Sequence, residues 1–131
     1  MINQIFKYVL IFILTITLGS NCLAANPPIY VDNLNDAMLL SKEISKEIVV
    51  IFSAEWCGHC KELKKDLNDN PAILEDKIIC IIDISKDKNL SRKYKVKNIP
   101  DCRIIKNSIE IKKRIGYGGI DEFKKWLDQK D

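Results

Sequence analysis

The sequence of 131 residues is poor in several things at once: it has one His, two Met, two Trp, four Pro and five Gly. So little Gly and Pro, without a short period, excludes a collagen-like or low-complexity chain, and a single His excludes a three-His metal site. No charge of one sign dominates: 21 basic against 18 acidic residues give a formal +3, with both signs interspersed through the second half. That argues against a dedicated nucleic-acid groove, and no nucleic-acid partner is expected. A long hydrophobic run is lacking too. Tyr8 to Leu18 covers eleven residues and is broken by Thr15 and Thr17, short of the ~20 apolar residues that a bilayer-spanning helix needs. What the chain does have is 47% hydrophobic residues, enough for one modest core, and five Cys. Sulfur is therefore the expected reagent.

Lys7 is the only charged residue among the first 25, and the run Tyr8 to Leu18 is followed by Gly19, Ser20 and Asn21. This order of charged, apolar and small polar regions predicts a secretory signal peptide over residues 1–25, cleaved after Ala24 or Ala25. A lipoprotein with Cys22 acylated is the alternative, weakened by Gly19 and Asn21 where such signals prefer a branched apolar and a small residue. An uncleaved anchor is a further one. Residues 26–131 are then a single domain, not membrane-spanning and expected to be a monomer, with Cys57, Cys60, Cys80 and Cys102 in an oxidising, extracytoplasmic compartment such as the periplasm.

Along that domain, Ile29-Tyr30-Val31 predicts a short strand. Asp32 or Asn33 offers an N-cap for a helix through about Ser45, with Leu34, Ala37 and Met38 at helical spacing. Ile48 to Phe52 is apolar without alternation, as in a strand covered on both faces of an α/β sheet. Cys57 to about Asn70 is helical, with Cys60, Leu63 and Leu67 on one face, and Pro71 restarts the chain in a short turn. Ile78 to Ile82 is a second buried strand. A weaker helix from Lys88 to Tyr94, a strand around Cys102 to Ile105, a hairpin turn at Lys106-Asn107-Ser108, a more exposed strand Glu110 to Ile115 and a last helix with Ile120, Phe123, Trp126 and Leu127 inside complete the order βαβαβαββα.

The chemistry concentrates at Trp56-Cys57-Gly58-His59-Cys60, between a buried strand and an amphipathic helix. Cys57 is placed at the helix N-terminus, where unpaired N–H groups and the helix dipole stabilise a thiolate. It is expected to be the exposed attacking thiol, and Cys60, one turn later on the apolar face, the resolving one. Gly58 is expected to permit the close turn and His59 to add a donor or a positive charge near the sulfur. A structural disulfide, a zinc site completed by Cys80 and Cys102, and a cysteine protease are the competing readings. Two of them are weak on the residues alone: Cys80 and Cys102 form no second CxxC, and His59 lies on the same turn as Cys57. No metal and no cofactor is expected.

The stretch Ile51 to Lys61, with its Cys57-Gly58-His59-Cys60 motif, together with Val96-Lys97-Asn98-Ile99-Pro100 and Ile115-Gly116, resembles the thioredoxin superfamily; Gly58-His59 is the dipeptide usual in protein disulfide isomerase. The resemblance covers roughly Ile29 to Gln129. It implies an α/β thioredoxin-like fold over 26–131, a central mixed sheet with helices on both faces, and a cis-proline at Pro100. By carry-over, Ile99 and Pro100 form the platform that pairs with an extended client peptide, beside Trp56, Gly58 and His59. The sequence also departs from the family. Ile51 and Ile81 stand where thioredoxin keeps a buried Asp and a Lys, Lys65 replaces a helix-kinking Pro, and Asp101 replaces the Thr after the cis-proline. If the family's strand order holds, the strands of Cys80 and Cys102 flank the central one, ~9.6 Å apart. That is beyond the roughly 7 Å that a disulfide tolerates between Cα atoms, so both are expected to be buried free thiols.

The function this implies is thiol–disulfide exchange with client proteins outside the cytoplasm. Cys57 and Cys60 are the catalytic pair, and an unidentified redox partner protein supplies or accepts the electrons. The alternative is a peptide-binding module on the same fold with incidental redox activity. Reduction, oxidation and isomerisation are left open.

Overall fold

A computed structural model describes residues 26–130, so the signal peptide expected over 1–25 lies outside the described residues. Along these, β1 (Ile29–Tyr30), α1 (Leu34–Ile44), β2 (Ile48–Ser53), α2 (Gly58–Asp69), a 3-10 turn (Pro71–Leu74), β3 (Ile78–Asp83), α3 (Lys88–Lys93), β4 (Asp101–Lys106), β5 (Ile109–Ile115) and α4 (Ile120–Asp128) follow one another as βαβαβαββα. The sheet order is β1-β3-β2-β4-β5. Its β1/β3 and β3/β2 pairs are parallel, and its β2/β4 and β4/β5 pairs are antiparallel.

All six residues of β2 are buried, which is why its sequence lacks polar alternation: helices cover both faces. On one face Val49, Ile51, Ile79, Cys102 and Ile104 pack with Leu63 and Leu67 of α2 and Phe123, Trp126 and Leu127 of α4. On the other, Val50, Phe52, Cys80 and Ile82 pack with Leu34 and Ala37 of α1 and, from α3 and its end, Leu90 and Tyr94. Fully burying an aliphatic side chain of this kind contributes about 1.5–3 kcal/mol. The double cover therefore anchors β2 on both faces and, with it, whatever its C-terminal end carries.

Local signals place the elements. The Asn33 carboxamide oxygen accepts from the N–H groups of Asn35 at 2.7 Å and Asp36 at 3.4 Å, capping α1, and Ser41 inside α1 donates its hydroxyl to the Lys46 carbonyl beyond its end. Asn107 and Ser108 turn the β4–β5 hairpin at φ 51 and 65, the paired positive angles that match the twist of antiparallel strands. Gly119 at φ 108 leads into α4, a backbone conformation that side chains other than Gly rarely adopt.

Candidate active site

Strand β2 ends at Ser53, and the chain turns through Ala54, Glu55 and Trp56 into α2. The Cys57 N–H donates to the Ala54 carbonyl at 3.2 Å. Cys57 is the N-cap of α2: its Sγ accepts from the Cys60 N–H at 3.2 Å, satisfying one of the helix's unpaired first-turn donors. The same two residues form a disulfide, with Cα atoms 5.2 Å apart. Cys60 has no exposed surface, as its place on the apolar face requires, whereas Cys57 retains only 8%. The expectation of an openly exposed Cys57 is thus corrected in degree: capping and the disulfide fold its sulfur against Ala54 and Cys60, leaving a narrow opening. Trp56, 71% exposed, stands beside it.

Gly58 departs from its expected part as well. Its φ is not positive, and a Cβ built there would meet nothing within 4 Å. The turn does not need Gly; a side chain at this position would meet open space. The exposed His59 ring puts Nδ1 3.5 Å from a Glu62 carboxylate oxygen in the next turn.

The Phe52↔Asp101 register of β2 and β4 brings the end of the loop after α3 to the same end of the sheet. The Ile99–Pro100 peptide bond is cis. Ile99 packs against Ala54, Cys57 and Cys60, Pro100 is buried, and the Pro100 carbonyl accepts from the Gly116 N–H at 2.8 Å. Among the described residues, the backbone N–H and C=O of Ile99 take part in no hydrogen bond. A main-chain donor and acceptor left unpaired this close to a disulfide are available to another chain. The fold thus brings Trp56, Cys57, Gly58, His59, Cys60, Ile99 and Pro100 to one end of the sheet.

Beneath the motif the sheet is apolar. Ile51 pairs with Ile81 and with Cys102, so no carboxylate stands on β2 at this level. Ser53, at the strand's end, has a buried hydroxyl without a hydrogen-bond partner among the described residues. Cys80 and Cys102 are free and buried, and they lie on opposite faces of the sheet. Burial, with Asp32 adding repulsion, pushes the Cys80 thiol up to about 11; burial and then Asp101 push Cys102 up to about 12. With the sheet between them, the two cannot both join Cys57 and Cys60 around one zinc ion. Two contacts had no sequence signal. The Tyr117 hydroxyl donates to the Asp66 carboxylate of α2 at 2.6 Å, and Asp101 forms a buried ion pair with Arg103.

A family model described as thioredoxin matches residues 31–129. A thioredoxin of Buchnera aphidicola subsp. Baizongia pistaciae is 37% identical over 87 residues, covering 66% of this chain and 80% of its own length. A probable protein disulfide-isomerase A6 of Medicago sativa is 27% identical over 121 residues and 86% of this chain, but this chain spans only 32% of that relative. Among solved structures, the thioredoxin NaTrxh of Nicotiana alata superposes with a TM-score of 0.63 at 27% identity, covering 76% of this chain and 89% of that one. A mutant thioredoxin of Halobacterium salinarum reaches the same TM-score at 22% identity and speaks to the fold alone. Since the family match takes in every element from α1 to α4 and the structure sets a Cys57–Cys60 disulfide at the head of α2, this chain belongs to the thioredoxin superfamily of thiol–disulfide oxidoreductases, with a protein-disulfide-isomerase-like active-site motif.

Proposed function

We propose that this protein is exported and exchanges disulfides with client proteins outside the cytoplasm through Cys57 and Cys60. The observation that carries the reading is the redox pair at the head of α2 facing the unpaired Ile99 backbone. An extended client segment pairs with Ile99 beside Pro100, with Trp56 and the open surface over Gly58 and His59 receiving its flanks. In the reducing direction the Cys57 thiolate, stabilised by the N–H groups of α2, attacks one client sulfur. A mixed disulfide forms and the other client sulfur leaves as thiolate. Cys60, once deprotonated, attacks the Cys57 sulfur, releasing the second client thiolate and closing the Cys57–Cys60 disulfide. The client gains two electrons, the protein loses two, and a redox partner protein restores the dithiol. Oxidation of a client dithiol is the same sequence reversed. Export is supported by the charged, apolar and small polar order of residues 1–25.

A second reading, a peptide-binding module with incidental redox activity, draws support from Ile51 and Ile81, which leave Cys60 without a buried carboxylate to take its proton. Insulin reduction and equilibration with a glutathione buffer separate the two. Exchange predicts a defined redox equilibrium, turnover abolished in Cys57→Ser, and client mixed disulfides trapped by Cys60→Ser. Peptide binding undiminished in both variants, with no insulin reduction by the native protein, would establish the binding module instead.

A further inference from the structure

The acidic residue that follows the cis-proline has a partner two positions on. Asp101 is fully buried and Arg103 is 4% exposed. The Arg103 guanidinium makes a two-pronged contact with Asp101, Nε–H to one carboxylate oxygen and Nη2–H to the other, both at 2.9 Å. Its Nη2 also donates to the Tyr94 carbonyl at 2.7 Å, and its Nη1 to Glu110 at 2.8 Å. Its carbon lies 5.4 Å from the Phe52 ring centre and 5.2 Å from that of Tyr94, within the range of cation–π attraction. Lys113 stands 3.5 Å from Asp101 on the solvent side.

Tyr94 is the last residue before the loop Lys95 to Pro100, and Asp101 is the first after it. One guanidinium therefore grips both ends of the segment that presents Ile99. Between them the loop has no regular secondary structure, and its backbone ties run back to α3, from the Lys95 N–H to the Arg92 carbonyl and from the Val96 N–H to that of Ser91. A buried ion pair is a poor way to gain stability, because desolvating both charges offsets most of their attraction. It is a good way to fix position, because the planar fork of Arg accepts only a narrow range of geometries.

We infer that Asp101 and Arg103 are a positioning pair for the client-binding loop: clamped at Tyr94 and Asp101, the loop holds the Ile99 backbone ready opposite Cys57, although neither charged residue touches client or sulfur. The inference rests on the proposed reading of Ile99–Pro100 as the client platform. A loop ordered in advance does not charge its ordering entropy to binding, so loss of the clamp falls on client affinity and spares the thiol chemistry.

The test compares two substrates of the full mature protein: insulin, which engages the platform, and 2-hydroxyethyl disulfide, which is small enough to meet only the sulfurs. The variants are the double Asp101→Leu/Arg103→Met, which removes both charges together and leaves neither unpaired, and Arg103→Lys, which keeps the charge without the fork. For the double variant, KM for insulin is expected to rise about tenfold, equivalent to ~1.4 kcal/mol of binding. Its kcat for insulin, its rate with 2-hydroxyethyl disulfide and the pH profile of that rate should stay within about twofold. Arg103→Lys should fall between it and the native protein, and carries the comparison alone if the double variant does not fold. An unchanged insulin KM in a folded variant, or equal losses on both substrates, would overturn the inference. Native protein that reduces 2-hydroxyethyl disulfide but not insulin would remove the client-exchange reading, and the inference with it.

Discussion

Placing an aspartate at Ile51 tests whether the apolar floor beneath the motif governs both stability and rate. Ile51 has no exposed surface, sits between Ile81 and Cys102, and shares its cluster with Leu63, one turn after Cys60. Ile51→Asp forfeits the burial of an aliphatic side chain, about 1.5–3 kcal/mol, and hides a carboxyl with no donor, costing about 1–3 kcal/mol even when protonated. The loss is thus about 2.5–6 kcal/mol at acid pH, a large share of a domain stability of about 5–15 kcal/mol. Burial raises the folded-state pKa of such a carboxyl above its unfolded value, so the folded state holds more protons across that interval. Stability accordingly declines as pH climbs from about 4 to the raised value, by ~1.4 kcal/mol for each pH unit of the interval, and is level above it. Urea midpoints at pH 5 and pH 8 read this directly. In the same protein, a carboxylate below Cys60 is expected to take its proton during release of the reduced client and to speed insulin reduction between pH 6 and 8. A midpoint equal at both pH values would refute the buried placement. A folded variant with unchanged or slower turnover would show that this proton transfer does not limit the native protein.

N-terminal sequencing of the exported protein is expected to find a start at Ala25 or Asn26; a lipid-modified Cys22 or a retained Met1 would contradict it. In the reduced, folded protein near neutral pH, alkylation should label Cys57 first, while Cys80 and Cys102, buried and pushed up to about 11 and about 12, stay silent until unfolding. Equal rates at Cys57 and Cys60 would remove their assigned roles. Tyr117→Phe deletes the 2.6 Å bond to Asp66 and should cost about 1.5–3 kcal/mol, the range for bonds to charged groups; an unchanged urea midpoint would show that this link between α2 and the segment before α4 is slack. Burial, then the bond to Asp66, raises the Tyr117 pKa above its ordinary value. Its stabilisation is therefore complete below about pH 10 and lost as pH rises from there toward the raised value, a decline that the Phe variant should lack.

The elements were legible where one physical signal sufficed. Runs without polar residues at Ile48 to Phe52 and Ile78 to Ile82 announced buried strands, and Asp32 or Asn33 announced the start of α1, the cap proving to be Asn33. Cys57 and Cys60 stood out because spacing and helix position together define their chemistry, while the cis bond at Pro100 was reached through family resemblance. Arg103 was not legible. In Asp101-Cys102-Arg103-Ile104, charges alternate with apolar residues as they would on a half-solvated strand, and period-two patterning cannot distinguish water from a paired charge as the cover. The Tyr117–Asp66 bond joins residues 51 positions apart, beyond the reach of any local pattern. Gly58 misled for a related reason: a glycine in a tight motif suggests a backbone need, but here the free space lies outside the protein.

The sheet that parts Cys80 from Cys102 also decides how the protein itself can be oxidised. A chain with several thiols that handles disulfides is at risk of becoming its own wrong product, since each additional cysteine multiplies the possible pairings. Here a sheet lies between the two spare sulfurs, both thiols resist ionisation, and among the described residues Cys57 and Cys60 alone are joined. Cys57 and Cys60 can thus pass between disulfide and dithiol while Cys80 and Cys102 stay walled off from each other, a safeguard written into topology.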